Sequence, residues 1–303
     1  MKEIGGRVAI VTGASRGLGR HIAETLFDHG LKVVVTARNE DELEAVRGSF
    51  DRTGKRSLAV PGDITVPAHR IALLDASRQK FGAIDILVNN AGNDHPEAFS
   101  DTTLERIKSM FDLNVIASMD MTRLVLPAML ERGEGHIVNM ASVAGLAPVP
   151  FASSYSATKH AIVGFSQSLR FEVAEQGVGV SVVCPGFVRD DGLFHQNSGG
   201  DTSGQPTVSP QQVADAVVKA ITANRDRVVV SPAIVKLTPL ANGLSPSVTA
   251  VAATVSGAYD AMRGIAARLK QQEAEANGNR VAAPARRKAP GMALRRGPRA
   301  GPR

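Results

Sequence analysis

Short apolar runs alternate with helical patterns through most of the chain. Seven of these runs are nearly continuously apolar, as is typical of strands that are covered on both faces. They are VAIV (8–11), VVVTA (33–37), SLAV (57–60), IDILV (84–88), HIVNM (136–140), VSVVC (180–184) and RVVVS (227–231). The alternation of such strands with helices predicts an α/β fold, with a doubly wound parallel sheet that carries helices on both faces.

Helical patterns fill the stretches between these runs. They cover residues 18–29, the segment that begins at residue 40, residues 67–80 and residues 209–222. In the last of them Ser209 is a suitable N-cap and Pro210 suits the first helical position. Residues 189–208 are rich in Gly, Ser, Thr, Asn and Pro, and this composition predicts a long mobile loop that contacts a ligand.

The pattern divides the chain into three parts. We expect one α/β domain at residues 1–245, a helical extension at residues 246–276 and a tail at residues 277–303. The tail consists largely of Arg, Pro, Ala and Gly and cannot bury enough apolar surface to fold, so it is predicted to be disordered.

Positive charge is concentrated in the tail. The net charge is +6, but residues 276–303 contribute +8 through seven arginines and Lys288, which leaves 27 basic against 29 acidic residues, or −2, elsewhere. The charge therefore does not indicate a nucleic-acid-binding domain, and no specific nucleic-acid partner is predicted. Clustered arginine could contact an anionic surface weakly, although a solvated extension is the favoured interpretation.

The single cysteine, Cys184, excludes an intramolecular disulfide and agrees with a reducing compartment. It ends an apolar run, so a buried strand residue is favoured over a nucleophile. No run approaches the ~18 consecutive apolar residues of a membrane-spanning helix. We expect a cytoplasmic protein, with peripheral membrane association through residues 246–262 as the less favoured alternative. No metal site is predicted.

A glycine-rich turn follows the first predicted strand. The segment TGASRGLG (12–19) places glycines at 13, 17 and 19, where the strand turns into a helix. Glycine permits a tight turn and lets backbone N–H groups approach a pyrophosphate at the helix N-terminus. The spacing G-x-x-x-G-x-G differs from the better-known G-x-G-x-x-G. Its place after the first strand of a βαβ pattern indicates a dinucleotide site.

The end of the second strand bears on which dinucleotide binds. A site for NAD usually places an acidic residue there, about 20 residues after the glycine turn, to bind the ribose 2′-hydroxyl. This chain has Ala37 and Arg38 at that point, and Arg16 lies inside the glycine turn. Two guanidinium groups suit a 2′-phosphate. We therefore predict NADP(H) as the cofactor, although Arg38 could also be an ordinary loop cation.

One of the two tyrosines in the chain, Tyr155, precedes Lys159 by four residues in SSYSATKHA. Residues i and i+4 of a helix share a face, so the two side chains would point into the same space. This spacing also occurs by chance in many helices, so by itself it leaves a catalytic and a structural interpretation open.

Several motifs in one order resemble the short-chain dehydrogenase/reductase family in its shorter single-domain form, over about residues 7–190. They are TGASRGLG (12–19), Asp63 in PGDIT, NNAG (89–92), Asn114 in LNV, Ser142 in NMASVAG, YSATK (155–159) and PG (185–186). The resemblance implies a Rossmann-type sheet of seven strands in the order 3-2-1-4-5-6-7. It also implies a catalytic domain that binds a dinucleotide across the carboxyl ends of the strands.

The resemblance further implies a catalytic quartet of Asn114, Ser142, Tyr155 and Lys159. Tyr155 would be the general acid for reduction and the general base for oxidation, and Ser142 would hold the substrate oxygen. Lys159 would serve the tyrosine and the nicotinamide ribose, while Asn114 relays protons through water. A free tyrosine has a pKa near ~10, and we expect the ammonium and the oxidised nicotinamide to lower it.

The cofactor is expected to contact a larger set, with Asp63 beside the adenine and Asn89 and Gly92 supporting the cleft. The predicted contacts are Gly13, Ser15, Arg16, Gly17, Leu18, Gly19, Arg38, Asp63, Ile64, Asn90, Ala91, Gly92, Tyr155, Lys159, Pro185, Gly186 and Val188. One position departs from the family, which often has threonine where this chain has Asp190. Either the acid accepts from the nicotinamide amide, or it points to solvent and the loop differs.

The predicted substrate pocket is largely apolar. Its walls are expected to come from residues 143–151, Asn93, Asp94, His95, Phe187, Leu193, Phe194 and His195. Neither histidine is favoured as a catalyst. The walls suggest a hydrophobic ketone or aldehyde and the corresponding alcohol as the substrate pair.

The favoured interpretation is thus an NADP(H)-dependent oxidoreductase. One alternative is a non-catalytic NADPH-binding regulator that acts through the basic tail. A protein without catalytic activity would have no physical reason to keep the Tyr–Lys pair. Another is a sugar-nucleotide epimerase or dehydratase, which shares Tyr-x-x-x-Lys but generally has a different glycine spacing. In the resembled family the helices that carry Asn114 and Tyr155 commonly pair between subunits, so a homodimer or homotetramer is expected.

Overall fold

Seven parallel strands form the central sheet of the computed structural model, which describes residues 1–200, 205–233, 242, 245 and 257–282. The strands are β1 (Val8–Thr12), β2 (Lys32–Thr36), β3 (Ser57–Ala59), β4 (Ile86–Asn89), β5 (Gly135–Met140), β6 (Val178–Pro185) and β9 (Arg227–Val230). Their order is β3-β2-β1-β4-β5-β6-β9. Two short strands, β7 (Phe187–Val188) and β8 (Thr207–Val208), pair separately. All seven predicted strands and their order are therefore confirmed.

Nine α-helices accompany these strands in the described ranges. They are α1 (Gly17–Asp28), α2 (Glu40–Phe50), α3 (Pro67–Phe81), α4 (Leu104–Phe111), α5 (Ala117–Arg132), α6 (Ser153–Val173), α7 (Leu193–Asn197), α8 (Pro210–Thr222) and α9 (Ala258–Ala282). The helix at 209–222 begins as predicted: the Ser209 hydroxyl accepts from the Gln212 N–H, and the Gln212 side chain accepts from the Ser209 N–H. This capping box fixes where α8 starts.

The sheet has a hydrophobic core on each face. In β1, Ala9 and Val11 belong to the core that contains α1 and α8, whereas Val8 and Ile10 belong to the core that contains α3, α5 and α6. Successive side chains of a strand point to opposite faces, so a continuously apolar strand supplies both cores. Full burial of an aliphatic side chain such as Ile10 is worth about 1.5–3 kcal/mol.

A π-helical turn, Asp112–Ile116, joins α4 to α5. The combined segment Leu104–Arg132 is long and apolar enough to span a membrane by length and composition, with a mean hydropathy of 1.3 over an 18-residue window. However, Met121 and Met129 of α5 are fully buried against the sheet, as expected of a core helix. The π-helical turn carries Asn114, and such turns are frequent at functional sites.

The C-terminal parts differ from the prediction in extent. Helix α9 continues to Ala282, six residues beyond the boundary predicted at residue 276. The predicted loop at 189–208 contains α7 and β8. The front half of the extension (246–256), residues 201–204 of the loop and residues 283–303 of the tail lie outside the described residues, so the predicted disorder of the tail stays a prediction.

Candidate active site

A cleft of about 720 Å³ opens at the carboxyl ends of the parallel strands. It runs from the glycine turn after β1, past Tyr155 and Lys159, to Met262 and Ile265 of α9. Every residue predicted to contact the cofactor lines it, and so do Ser142 and half of the predicted substrate walls. The predicted wall residues that do not line it are 145–148, 150, 151, His95 and His195. This edge is where ligands bind in open α/β sheets.

The glycine turn is shaped as an anion cradle. Gly13 and Gly17 adopt φ of +66° and +58°, which other residues rarely adopt. A Cβ at Gly13 would lie 2.8 Å from the Cα of Ala91. The Asn90 amide holds the turn by donating to the Thr12 and Gly13 carbonyls. No side chain caps the N-terminus of α1, so its first N–H groups can receive a pyrophosphate.

The charges near the end of β2 are mixed. Arg16 and Arg38 both line the cleft, and neither forms an ion pair within the described ranges. Burial raises the pKa of Asp63, but hydrogen bonds from Thr65 and the charges of Arg38 and His69 outweigh it and keep the pKa below its usual value. Glu42 of α2 also lines this end of the cleft. Sequence reasoning missed Glu42, because only helix geometry brings it there.

Ser142, Tyr155 and Lys159 meet at the other end. Ser142 follows β5, and its hydroxyl accepts from the Ala144 N–H at 3.1 Å. Tyr155 and Lys159 lie in the first turns of α6 and share a face, as predicted. The Lys159 ammonium donates to the Met140 carbonyl at 2.9 Å and lies 5.5 Å from the centre of the Tyr155 ring.

The charge states of this group correct one expectation. Burial lowers the pKa of Lys159 to about 8, against the pull of Asp94. Burial and the Asp94 carboxylate raise the pKa of Tyr155 well above its usual value, although the Ser142 side chain opposes this. The lowered pKa predicted for Tyr155 is therefore not found in the chain alone, because burial of the phenol and the Asp94 charge outweigh the hydrogen bond with Ser142. The part of the prediction that concerns the oxidised nicotinamide stays a prediction. The phenol is protonated at neutral pH.

Asn114 lies beside this group without lining the cleft. Its side-chain oxygen accepts from the Asn93 N–H at 2.9 Å, and its amide donates to the Asn93 carbonyl at 2.9 Å and to Thr158 at 3.1 Å. The side chain thus ties the segment after β4 to α6. Its predicted role as a proton relay stays a prediction. Asn89, expected to support the cleft, is buried and donates to Asn139 on β5 and to α5.

The substrate end of the cleft is walled mainly by apolar side chains. Phe187 and Phe194 stack with their ring centres 4.1 Å apart, and they pack with Met262 and Ile265 of α9. The contribution of α9 was not predicted. The His95 Nε2 atom lies 3.3 Å from the Glu273 carboxylate of α9, which indicates a structural role for His95.

The loop after β6 answers the question raised by Asp190. That side chain is 68% exposed and pairs with Arg189 at 3.7 Å, and it does not line the cleft. The next residue, Asp191, does line the cleft and pairs with His21 of α1 at 3.1 Å. Of the two interpretations of Asp190, the structure therefore agrees with the one in which the side chain points to solvent. Cys184 is buried, and burial raises its pKa to about 12, so it is the inert strand residue predicted.

These features fit a nicotinamide dinucleotide. The glycine turn and the open α1 N-terminus would hold its phosphates, Asp63 and Ile64 would border the adenine end, and Lys159 would lie near the nicotinamide ribose. When bound, the dinucleotide supplies or accepts the hydride. The chain supplies a protonated tyrosine and a serine hydroxyl at the reacting end of the cleft.

Comparison with known proteins identifies the family. Residues 7–198 match the family described as short chain dehydrogenase. Ketoacyl reductase HetN of Nostoc sp. is 37% identical over 231 residues, which are 76% of this chain and 80% of that protein. L-Sorbose reductase from Gluconobacter frateurii, solved with NADPH and L-sorbose, shares 29% identity with a TM-score of 0.69, over 76% of this chain and 97% of that one.

A second similar structure was solved with NADH instead of NADPH. The 3-ketoacyl-(acyl-carrier-protein) reductase from Brucella melitensis, solved with NADH, shares 28% identity with a TM-score of 0.67, over 75% of this chain and 97% of that one. The strand order, the glycine turn and the Ser–Tyr–Lys group agree with these likenesses. The chain therefore belongs to the short-chain dehydrogenase family of oxidoreductases, which bind a nicotinamide cofactor.

Proposed function

We propose that this protein is an NADP(H)-dependent oxidoreductase that interconverts a hydrophobic ketone or aldehyde and the corresponding alcohol, with Tyr155 as general acid and base. The observation that carries the proposal is that Ser142, Tyr155 and Lys159 converge at the apolar end of one cleft, whose other end holds the glycine turn and two arginines.

The residues divide the proton chemistry between them. A protonated Tyr155 donates to the carbonyl oxygen as that oxygen gains negative charge, and the Ser142 hydroxyl holds the same oxygen by a hydrogen bond. The Lys159 ammonium, with its carbon stem buried beside the Tyr155 ring, stabilises the phenolate that remains. Because the pKa of the phenol is raised in the chain alone, Tyr155 carries the proton that reduction requires.

The preference for NADP(H) rests on charge at the end of β2. Ala37 stands where an NAD site usually has an acid, and Arg16 and Arg38 line the same part of the cleft. Guanidinium groups suit a 2′-phosphate. Glu42 opposes them, and relatives bind either form: the sorbose reductase was solved with NADPH and the ketoacyl reductase from Brucella melitensis with NADH.

A hydrophobic carbonyl substrate is supported by the walls of the cleft. Val149, Phe187, Phe194, Met262 and Ile265 line or close its substrate end. An apolar pocket with few polar groups binds an apolar ligand and orients it through those groups. The similarity to ketoacyl reductase HetN supports a ketone as the oxidised partner.

We also propose a homo-oligomer. Ile116, the N-cap residue of α5, and Met119 of α5 are 50% and 38% exposed, and Phe171 of α6 is 85% exposed. Exposed apolar side chains on these two helices suit a subunit interface, and light scattering of the purified protein tests it. A cytoplasmic location stays a prediction.

The test follows the loss of NADPH absorbance with a panel of apolar ketones and aldehydes. We expect turnover that prefers NADPH over NADH and falls about 10²–10⁴-fold in Tyr155→Phe. Tyr259→Phe is the matched control, because it removes the hydroxyl of the other tyrosine. The ring centre of Tyr259 lies 5.4 Å from that of Phe151.

Each outcome of this test decides one part of the proposal. Equal use of NADH contradicts the argument from Arg16 and Arg38 and leaves the chemistry intact. Turnover that survives in Tyr155→Phe contradicts the assigned role of Tyr155. Binding of NADPH without turnover across the panel overturns the proposal in favour of an NADPH-binding regulator.

A further inference from the structure

Asp94 is an acidic side chain of the cleft that the proposed chemistry does not use. It lies two residues after Gly92 and lines the cleft together with Tyr155 and Lys159. Its Oδ1 atom is buried and accepts no hydrogen bond from any described residue. The backbone N–H of His95 donates to the carboxyl group, which leaves most of its acceptor capacity unused.

Two acids that are buried as whole residues in the described ranges show that this is unusual. Asp51 accepts hydrogen bonds from Thr53, Gly54, Arg56 and Ser57. Asp85, at the start of β4, accepts from the Val8 N–H and lies 3.8 Å from the guanidinium groups of Arg7 and Arg132. These two carboxylates have partners because an unpaired buried charge is costly. Asp94 is held in the cleft without such partners.

The surroundings of Asp94 limit what could bind it. Burial raises its pKa to about 7, although the His95 N–H and the Lys159 charge oppose the rise. A cationic ligand group would be repelled by the Lys159 ammonium, and an anionic group by the ionised carboxylate. A neutral hydroxyl suits both charge states of Asp94, because a carboxyl oxygen can accept a hydrogen bond in either.

We propose that Asp94 is a specificity-determining residue that accepts a hydrogen bond from a hydroxyl group that the substrate carries close to its reacting carbonyl. The preferred substrate class is then an apolar hydroxy ketone rather than a plain ketone. The inference rests on the proposed function, since it concerns the substrate of the same site. A site built to bind a hydroxyl discriminates strongly against the analogue that lacks it.

The test compares two ketones that differ by one hydroxyl, 2-hydroxyacetophenone and acetophenone. We measure kcat/KM for both with the wild type, Asp94→Ala, Asp94→Asn and the control Asp191→Ala. Asp191 is a second acid that lines the cleft, but its side chain is 52% exposed and pairs with His21 at the glycine turn. Thermal melts of each variant check that it is folded.

We expect the wild type to prefer the hydroxy ketone by at least about tenfold, and this ratio to fall toward one in Asp94→Ala. Asp94→Asn keeps an acceptor oxygen, so its ratio of the two kcat/KM values should lie between those of the wild type and Asp94→Ala. Asp191→Ala should keep the wild-type ratio. An equal ratio in the wild type and Asp94→Ala overturns the proposal, as does an equal loss on both ketones.

The failure of this inference and that of the proposed function give different results. Turnover of acetophenone that depends on Tyr155 supports the proposed function whatever the ratio. If neither ketone is turned over, both are titrated calorimetrically into protein saturated with NADP⁺. Tighter binding of 2-hydroxyacetophenone that is lost in Asp94→Ala supports the role of Asp94, and equal affinities overturn it.

Discussion

Replacement of Asn114 by alanine separates two roles that this side chain could have. Asn114 is 1% exposed and forms three hydrogen bonds, two with the backbone of Asn93 and one with Thr158. Its amide nitrogen donates both hydrogens within the protein, so no donor of the side chain is left for a chain of water molecules. The contacts therefore indicate a positioning residue for the segment Gly92–Asn93–Asp94.

The size of the effect follows from these bonds. An intramolecular hydrogen bond contributes about 0.5–1.5 kcal/mol, so the three in Asn114→Ala amount to about 3 kcal/mol. For a domain of this size each kcal/mol corresponds to roughly 2–4 °C, which predicts a melting temperature lower by about 6–12 °C. The released segment lines the cleft, so we expect kcat/KM to fall at least about tenfold as the reacting groups lose alignment.

Thermal melts and steady-state kinetics across pH measure both effects. Asn114→Asp keeps the acceptor for the Asn93 N–H but sets an oxygen against the Asn93 carbonyl at a buried site, so its melting temperature should fall at least as far as that of Asn114→Ala. Asn139→Ala is a matched control, because Asn139 is fully buried and hydrogen-bonded to Asn89 and Ser166 away from the cleft; it should lose stability with little change in KM. A melting temperature within about 2 °C of wild type in Asn114→Ala, together with lost turnover and an altered pH profile, would refute the positioning role in favour of a proton relay.

Three further predictions concern charge. Arg38→Ala should raise the Kd for NADPH about tenfold and change that for NADH little, since a charge-assisted hydrogen bond is worth about 1.5 kcal/mol or more; equal losses for both cofactors in fluorescence titrations would contradict it. Asp94→Asn should raise the melting temperature at pH 8 and not at pH 4. Burial raises the Asp94 pKa from 3.8 to about 7, so this carboxyl group lowers the free energy of unfolding as pH rises through that window. The loss is at most about 4 kcal/mol. Asp51→Ala should lower the free energy of unfolding by about 2 kcal/mol at pH 7, because hydrogen bonds from Thr53, Arg56 and Ser57 overcome burial and hold the Asp51 pKa at about 2. In urea titrations this difference should disappear as pH falls from 4 to 2. A difference that stays constant over this range would refute the ionic contribution.

Features that depend on local sequence were predictable. The seven strands follow from continuous apolar runs, because a strand covered on both faces must be apolar at every position. The start of α8 follows from Ser209 and Gln212, which satisfy each other's backbone donors within one turn. The glycine turn follows from residues whose φ values exclude most side chains. These signals lie within a few residues of the structure that they specify.

Features that depend on contacts between distant parts of the chain were not predictable. Met262 and Ile265 close the substrate end by packing on Ala152, more than a hundred residues earlier, and no motif at 258–282 indicates such a contact. Glu42 reaches the cofactor end only because α2 begins where β2 ends. The spacing of Tyr155 and Lys159 shows that they share a face, but it gives no measure of their burial. Burial reversed the expected direction of the Tyr155 pKa.

The same burial couples substrate recognition to proton donation. The ionised Asp94 carboxylate raises the pKa of Tyr155 and opposes the fall in that of Lys159. A hydroxyl that donates to Asp94 favours its ionised form, because a hydrogen bond to the charged state stabilises that state. The substrate that the proposal assigns to Asp94 therefore also keeps Lys159 protonated. Since that ammonium stabilises the phenolate left after Tyr155 donates its proton, binding of a hydroxy ketone supports reduction, whereas a plain ketone leaves Asp94 free to take up a proton and weaken this effect.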